Sequence, residues 1–197
     1  KPVVGGQKVV ALACSTGGPK ALQSVVPRLP AELAAPVLIV QHMPKGFTQS
    51  LAERLDSMSK IKVKEAGEGD VLENGVVYIS MGGKHMNVVT KGGRPTITYT
   101  DEPPREGVKP CANYMYESLK TSNYAQIVCV VLTGMGADGT KGIVNLETSK
   151  KIHVIAQDEA SSTVYGMPKA IAATGLVNQV VSLDNVAQEI IMNVGVR

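Results

Sequence analysis

Three side chains could share an acyl-transfer reaction: Ser15, His42 and Asp138. A serine hydroxyl is a poor nucleophile until a base takes its proton and a third group orients that base, so the three matter only together. Ser15 follows the apolar run Val9-Val10-Ala11-Leu12-Ala13-Cys14 and opens the turn Ser15-Thr16-Gly17-Gly18-Pro19. A serine on a tight strand-to-helix turn projects its hydroxyl from the C-terminal edge of a sheet, where α/β proteins place their chemistry. His42 ends the run Pro36-Val37-Leu38-Ile39-Val40-Gln41, and Asp138 follows the apolar run 127–132 within Leu132-Thr133-Gly134-Met135-Gly136-Ala137-Asp138-Gly139. If these runs are neighbouring parallel strands, their ends meet at one edge and the imidazole can reach the hydroxyl.

Each residue also has a plainer reading. Ser15 or Thr16 could cap a helix with Pro19 in its first turn, or the turn's amides could hold an anion. The phosphate-loop pattern Gly-x-x-x-x-Gly-Lys-Ser/Thr is absent. His42 could bond a backbone carbonyl at a strand end, and Asp138 could be the N-cap of the next helix. A carboxylate near a helix N-terminus would in either case be held ionised by the backbone dipoles. His85 opens a hairpin strand and His153 lies early in its strand near the opposite edge, so both are poorer bases.

The glycines also support a rival function. Gly134-x-Gly136-x-x-Gly139 follows a strand and opens a helix, with Asp158 about 20 residues on, which is nearly a dinucleotide-binding fingerprint and would make the chain an oxidoreductase. Against it, Asp138 brings a negative charge to the place of the pyrophosphate, and Ser15 and His42 are left without a role.

The elements that must position these residues read as α/β. Strands near 9–13, 37–41, 127–132, 152–156 and 177–181 alternate with helical spacing over 47–59, where Leu51, Leu55 and Met58 share a face, and over roughly 111–122. The last dozen residues suit an amphipathic helix with Val186, Ile190, Ile191 and Val194 inward. Continuous apolar strands separated by helices imply a doubly wound, mostly parallel sheet with helices on both faces. Residues 62–100 break the rhythm. Val76-Val77-Tyr78-Ile79 reads as a strand, and the strands of 85–90 and 96–99 join through Lys91-Gly92-Gly93-Arg94 as an antiparallel hairpin at one edge of the sheet.

Composition narrows the classes. With 197 residues, 44% of them hydrophobic and 19% charged, the chain can bury the core of one domain. A net charge of +3, one Phe and no Trp offer no basic-aromatic pattern for nucleic acid. No apolar run approaches the roughly 20 residues that span a bilayer, so the expectation is a cytoplasmic protein without membrane insertion. Three cysteines without Cys-x-x-Cys spacing suggest reduced thiols rather than a disulfide framework or a zinc site. Strand alternation turns Cys14 away from Ser15, which makes it a packing residue. Lys1-Pro2 and Gly5-Gly6 give residues 1–7 the look of a linker remnant ahead of a catalytic domain at 8–197.

The segments Ser15-Thr16-Gly17-Gly18-Pro19, Val40-Gln41-His42-Met43-Pro44 with Phe47-Thr48, 132–139, and Ala156-Gln157-Asp158-Glu159-Ala160-Ser161-Ser162 with Gly166-Met167-Pro168 together resemble the catalytic domain of the chemotaxis protein-glutamate methylesterases, the CheB family. The resemblance implies that Ser15 is the nucleophile, His42 the base and then acid, and Asp138 the orienting carboxylate. It implies an oxyanion site from the backbone N–H groups of Thr16 and Met135, and no metal or cofactor. The implied substrates are glutamate γ-methyl esters on the cytoplasmic helices of methyl-accepting chemoreceptors, with deamidation of receptor glutamines by the same chemistry. An N-terminal receiver domain would complete the full-length protein. One departure is Ala13, where the family pattern has glycine two residues before the serine.

Overall fold

The computed structural model describes residues 6–197; residues 1–5 of the expected linker lie outside the described residues. The chain runs β1 (Lys8–Cys14), α1 (Gly18–Val25), β2 (Val37–Gln41), α2 (Phe47–Met58), β3 (Lys62–Glu65), β4 (Val76–Ile79), β5 (His85–Lys91), β6 (Arg94–Thr100) and α3 (Ala112–Ser118). It continues with β7 (Gln126–Val131), α4 (Thr140–Glu147), β8 (Lys151–Gln157), α5 (Gly166–Ala172), β9 (Gln179–Val181) and α6 (Leu183–Val194). The apolar runs become strands because both of their faces are covered: six of the seven β1 residues and all five of β2 are buried.

Seven strands form one parallel sheet in the order β3-β4-β2-β1-β7-β8-β9. Winding starts at β1, moves through β2 towards β3, then returns to β1's other side with β7. The ends of β1 therefore lie at the point where strand order reverses, which is where open α/β sheets bind ligands.

Alternation along β1 divides the core. Val9, Ala11 and Ala13 face a cluster containing Met115 and Tyr116 of α3, Ile143 of α4 and Ile171 of α5. Val10, Leu12 and Cys14 face a second cluster with Leu22 of α1, Leu55 of α2 and Ile190 of α6. Burying the valines, leucines, isoleucines and Met115 among them is worth about 1.5–3 kcal/mol each, against a similar entropic cost of ordering the chain. Continued alternation puts Ser15, after Ala13, and His42, after Val40, on the α3 side of the sheet.

The hairpin is a two-stranded sheet of its own, registered from His85↔Thr100 to Lys91↔Arg94. Gly92 and Gly93 at its turn have φ of 58° and 77°, the left-handed pair that a tight hairpin requires. Met86, Val88 and Ile97 pack into the α3-side core. The Tyr99 hydroxyl accepts from Met81 N at 2.9 Å and donates to Ala66 O at 2.6 Å, tying the hairpin to the sheet. Val76–Ile79 is a strand as the sequence reads, an inner parallel one beside β2. Lys62–Glu65 departs from the reading: it forms an edge strand whose lone apolar residue, Val63, gave no strand signal.

Candidate active site

Ser15, His42 and the loop bearing Asp138 hang from the ends of three adjacent strands, β1, β2 and β7. Their backbones are joined directly: His42 N donates to Cys14 O at 3.3 Å, and Ser15 N donates to Thr133 O at 2.9 Å. The Gln41 carboxamide, almost fully buried, brackets the two strand ends. Its Nε2 donates to Ser15 O at 3.1 Å and His42 O at 3.2 Å, while its Oε1 accepts from Cys14 Sγ at 3.0 Å. A Cβ on Gly18 would lie 1.8 Å from Gln41 Oε1, so this glycine is what lets the bracket close. On the other flank Thr133 Oγ1 donates to Thr16 O at 2.9 Å and accepts from Val164 N at 3.0 Å.

His42 Nε2 lies 2.6 Å from Asp138 Oδ2, with the imidazole side chain 10% exposed and the carboxylate 2%. Asp138 takes four donors in all. Oδ2 also accepts from Ala112 N at 2.7 Å, and Oδ1 from Asn113 N at 3.0 Å and Cys111 Sγ at 3.1 Å. Burial opposes the charge, but the hydrogen bonds from His42, Ala112 and Cys111 outweigh it and hold the carboxyl below its usual range. An ionised carboxylate can only accept, so the imidazole proton is on Nε2 and Nδ1 keeps the lone pair that a base uses. No hydrogen bond joins Ser15 Oγ to the ring among the described residues. An unloaded site is often looser here than a loaded one.

The amides of Thr16 and Met135 donate to no acceptor among the described residues, so both can serve an oxyanion. Met135 is 69% exposed, while Gly134 beside it packs so closely that a Cβ there would meet Ser15 Cβ at 2.8 Å. Ala13 is an interior β1 residue, fully buried and paired with Val40 and Val131, so its methyl sits in the core and the turn begins beyond it. The Cys14 thiol is also fully buried, and burial pushes its pKa up, as befits a packing residue.

Several plainer readings give way. The N-cap of α1 is Gly17, with φ of 82° and no side-chain cap, so neither Ser15 nor Thr16 caps that helix. The N-cap of α4 is Gly139, and the helix that holds Asp138 is α3, not the one that follows it in sequence. The dinucleotide reading fails on the same loop. Asp138 is buried in its centre, Gly139 N is taken by Asn113 Oδ1 at 3.0 Å, and Asp158 Oδ1 is occupied by Ser161 N at 3.0 Å. His153 bonds Gln179 Oε1 at 2.7 Å, away from this edge.

Sequence reasoning missed Gln41, Thr133 and the Cys111-Ala112-Asn113 cradle. Gln41 carried a signal, being a polar residue at the end of an otherwise apolar strand. The cradle lies 25 to 27 positions from Asp138 and only the tertiary fold brings it there.

The family model described as CheB methylesterase matches residues 10–190. A protein-glutamate methylesterase/protein-glutamine glutaminase of Geobacillus kaustophilus is 45% identical over 96% of this chain and 54% of its own length. That of Pyrococcus abyssi is 47% identical over 97% of this chain and 52% of its own. The crystal structure of the Thermotoga maritima CheB methylesterase catalytic domain matches with a TM-score of 0.92 and 36% identity, covering 95% of this chain and 99% of that one. This chain thus spans about half the length of the curated relatives it matches. On this evidence of sequence and fold, the chain belongs to the CheB methylesterase family.

Proposed function

We propose that residues 8–197 form the catalytic domain of a serine esterase that removes methyl groups from glutamate γ-methyl esters on chemoreceptors. The observation that carries this is the short Asp138–His42 contact at the strand edge that also bears Ser15. His42 Nδ1 takes the proton of Ser15 Oγ as the oxygen attacks the ester carbonyl. The resulting oxyanion is met by the N–H groups of Thr16 and Met135, and one such donor is worth roughly 3–4 kcal/mol of barrier. Collapse expels methanol, which takes the proton from His42 and leaves an acyl-Ser15. A water then gives its proton to His42 Nδ1 and attacks the acyl carbon, and collapse frees the glutamate as His42 returns that proton to Ser15 Oγ.

The relatives' names pair this activity with glutamine deamidation, and the same steps with ammonia as leaving group accommodate it. The extra length of the relatives supports a second domain in the full protein, for which the proposed occupant is an N-terminal receiver. A cytoplasmic site of action follows from the proposed substrate, and no helix among the described residues is long and apolar enough to cross a membrane.

The test is methanol release from methylated chemoreceptor membranes. Ser15→Ala and His42→Ala are expected to leave almost no turnover; full turnover in Ser15→Ala would overturn the mechanism.

A further inference from the structure

We propose that His85 is a positioning residue for the acid: from the first residue of the hairpin it holds the amide of Cys111 and so fixes the start of α3, and with it Asp138, against His42. This rests on the esterase reading above.

His85 is a fully buried titratable group that the mechanism does not use. Its Nδ1 accepts from Cys111 N at 3.1 Å. With that nitrogen accepting, the ring proton is on Nε2, which reaches Glu102 O and Pro103 O, each at 3.1 Å. The ring edge meets Tyr114 at 4.7 Å between centroids, and Arg105 covers the Tyr114 ring at 5.0 Å while pairing bidentately with Glu117. The neutral imidazole is therefore satisfied at both nitrogens and clamped on its flank.

What makes this more than packing is the residue it holds. Cys111 gives its backbone N–H to His85 and its thiol to Asp138 Oδ1 at 3.1 Å. The next two amides, Ala112 and Asn113, give the remaining backbone donors to the carboxylate. One residue thus turns its amide to the hairpin and its side chain to the acid. An apolar side chain of similar volume at 85 would fill the space but leave the Cys111 N–H aimed at nothing, and a buried amide without an acceptor moves to find one. Asn113 locks the same helix from the other side, its Oδ1 accepting from Gly139 N at 3.0 Å and Gly142 N at 2.8 Å. The hairpin so acquires a task in the reaction that its distance from Ser15 in sequence conceals.

The experiment compares His85→Leu, His85→Asn and His85→Gln with the wild-type chain and with Ser15→Ala, by methanol release and by the proton NMR signal of His42 Nε2–H. The amide oxygen of Asn falls near the place of Nδ1, whereas that of Gln falls beyond it. In His85→Leu, kcat should drop on the order of tenfold to a hundredfold, as for a sub-ångström to ångström misplacement of a catalytic group, with KM unchanged and the His42 proton signal shifted. His85→Asn should restore both readouts and His85→Gln should not. If the Leu variant does not fold, the Asn and Gln pair decides alone. Equal kcat in those two with an unmoved His42 signal overturns the positioning role and leaves the esterase reading standing, whereas turnover surviving in Ser15→Ala overturns the esterase reading itself.

Discussion

His42 meets Asp138 through Nε2, at 2.6 Å from Oδ2, which leaves Nδ1 as the nitrogen that would serve Ser15 in the proposed reaction. The familiar serine-protease arrangement uses the two nitrogens the other way round, with Nδ1 on the acid. The reversal is possible because the chemistry depends on one nitrogen being held as a donor and the other left as a base, not on which is which. Asp138 sets the tautomer here while accepting three further donors.

Asp138→Asn is accordingly expected to lower kcat by about a thousandfold to ten-thousandfold, measured as methanol release. Both carboxylate oxygens accept from α3, so the amide NH₂ must face either Asn113 N–H or Ala112 N–H together with His42. Facing His42, it would donate to Nε2 and force the proton onto Nδ1. Near-wild-type turnover in this variant would remove the acid from the mechanism.

Asp138 also makes a signed prediction about stability. Its carboxyl is held below its ordinary value, so its stabilising contribution is complete above the unfolded carboxylate range of about 4 and is lost as pH falls through the lower folded value. Urea unfolding of wild type and Asp138→Asn should show the widest gap at neutral pH, narrowing steadily below about pH 4. Other carboxylates titrate alike in both proteins and cancel. A gap that widens with acid would contradict the assignment.

Gly134→Ala should cost stability and catalysis together. The new Cβ meets Met167 Sδ at 2.3 Å and Ser15 Cβ at 2.8 Å. Overpacking of this kind costs about 1–3 kcal/mol in thermal or urea unfolding. The contact with Ser15 should lower kcat as well, because the new methyl displaces the proposed nucleophile from the Gly134 side.

Cys14→Ala should cost stability alone. The thiol's bond to Gln41 Oε1 is lost and a buried acceptor is left without its donor, at about 1–3 kcal/mol. Turnover should persist, since Gln41 keeps its bonds to Ser15 O and His42 O. Thiol alkylation of the folded wild type should also spare activity. Cys14 and Cys111 are both buried, and burial with the Asp138 charge pushes the Cys111 thiol up to about 12.

What could be read in the sequence followed from what water does to strands. β1, β2, β7 and the second half of β8 are buried on both faces and so wrote themselves as apolar runs, and the ends of the first three named Ser15, His42 and the 132–139 loop. β3 was illegible because an edge strand carries lysines where an inner one carries valines. Asp138 was rightly placed near a helix N-terminus, but the local rule pointed to α4. The amides that hold it belong to α3, whose approach is decided by Tyr116, Met115 and the hairpin residues packed beneath them. Gln41 and His85 act by geometry between distant segments, and no spacing in one chain encodes such a meeting.

Ser15 and His42 hang from β1 and β2, with β7 on β1's other side, in the middle of seven strands. The ladder that sets their separation is thus the part of the molecule expected to exchange its amide hydrogens only when the whole domain opens. The acid's supports come instead from a short helix and a two-stranded sheet at the periphery. On warming, amides at Leu12–Cys14 and Ile39–Gln41 should therefore stay protected after those at Ala112 and Asn113 have begun to exchange. Thermal inactivation would then begin as a loosening of the proposed relay's anchor while the proposed nucleophile still stood in place.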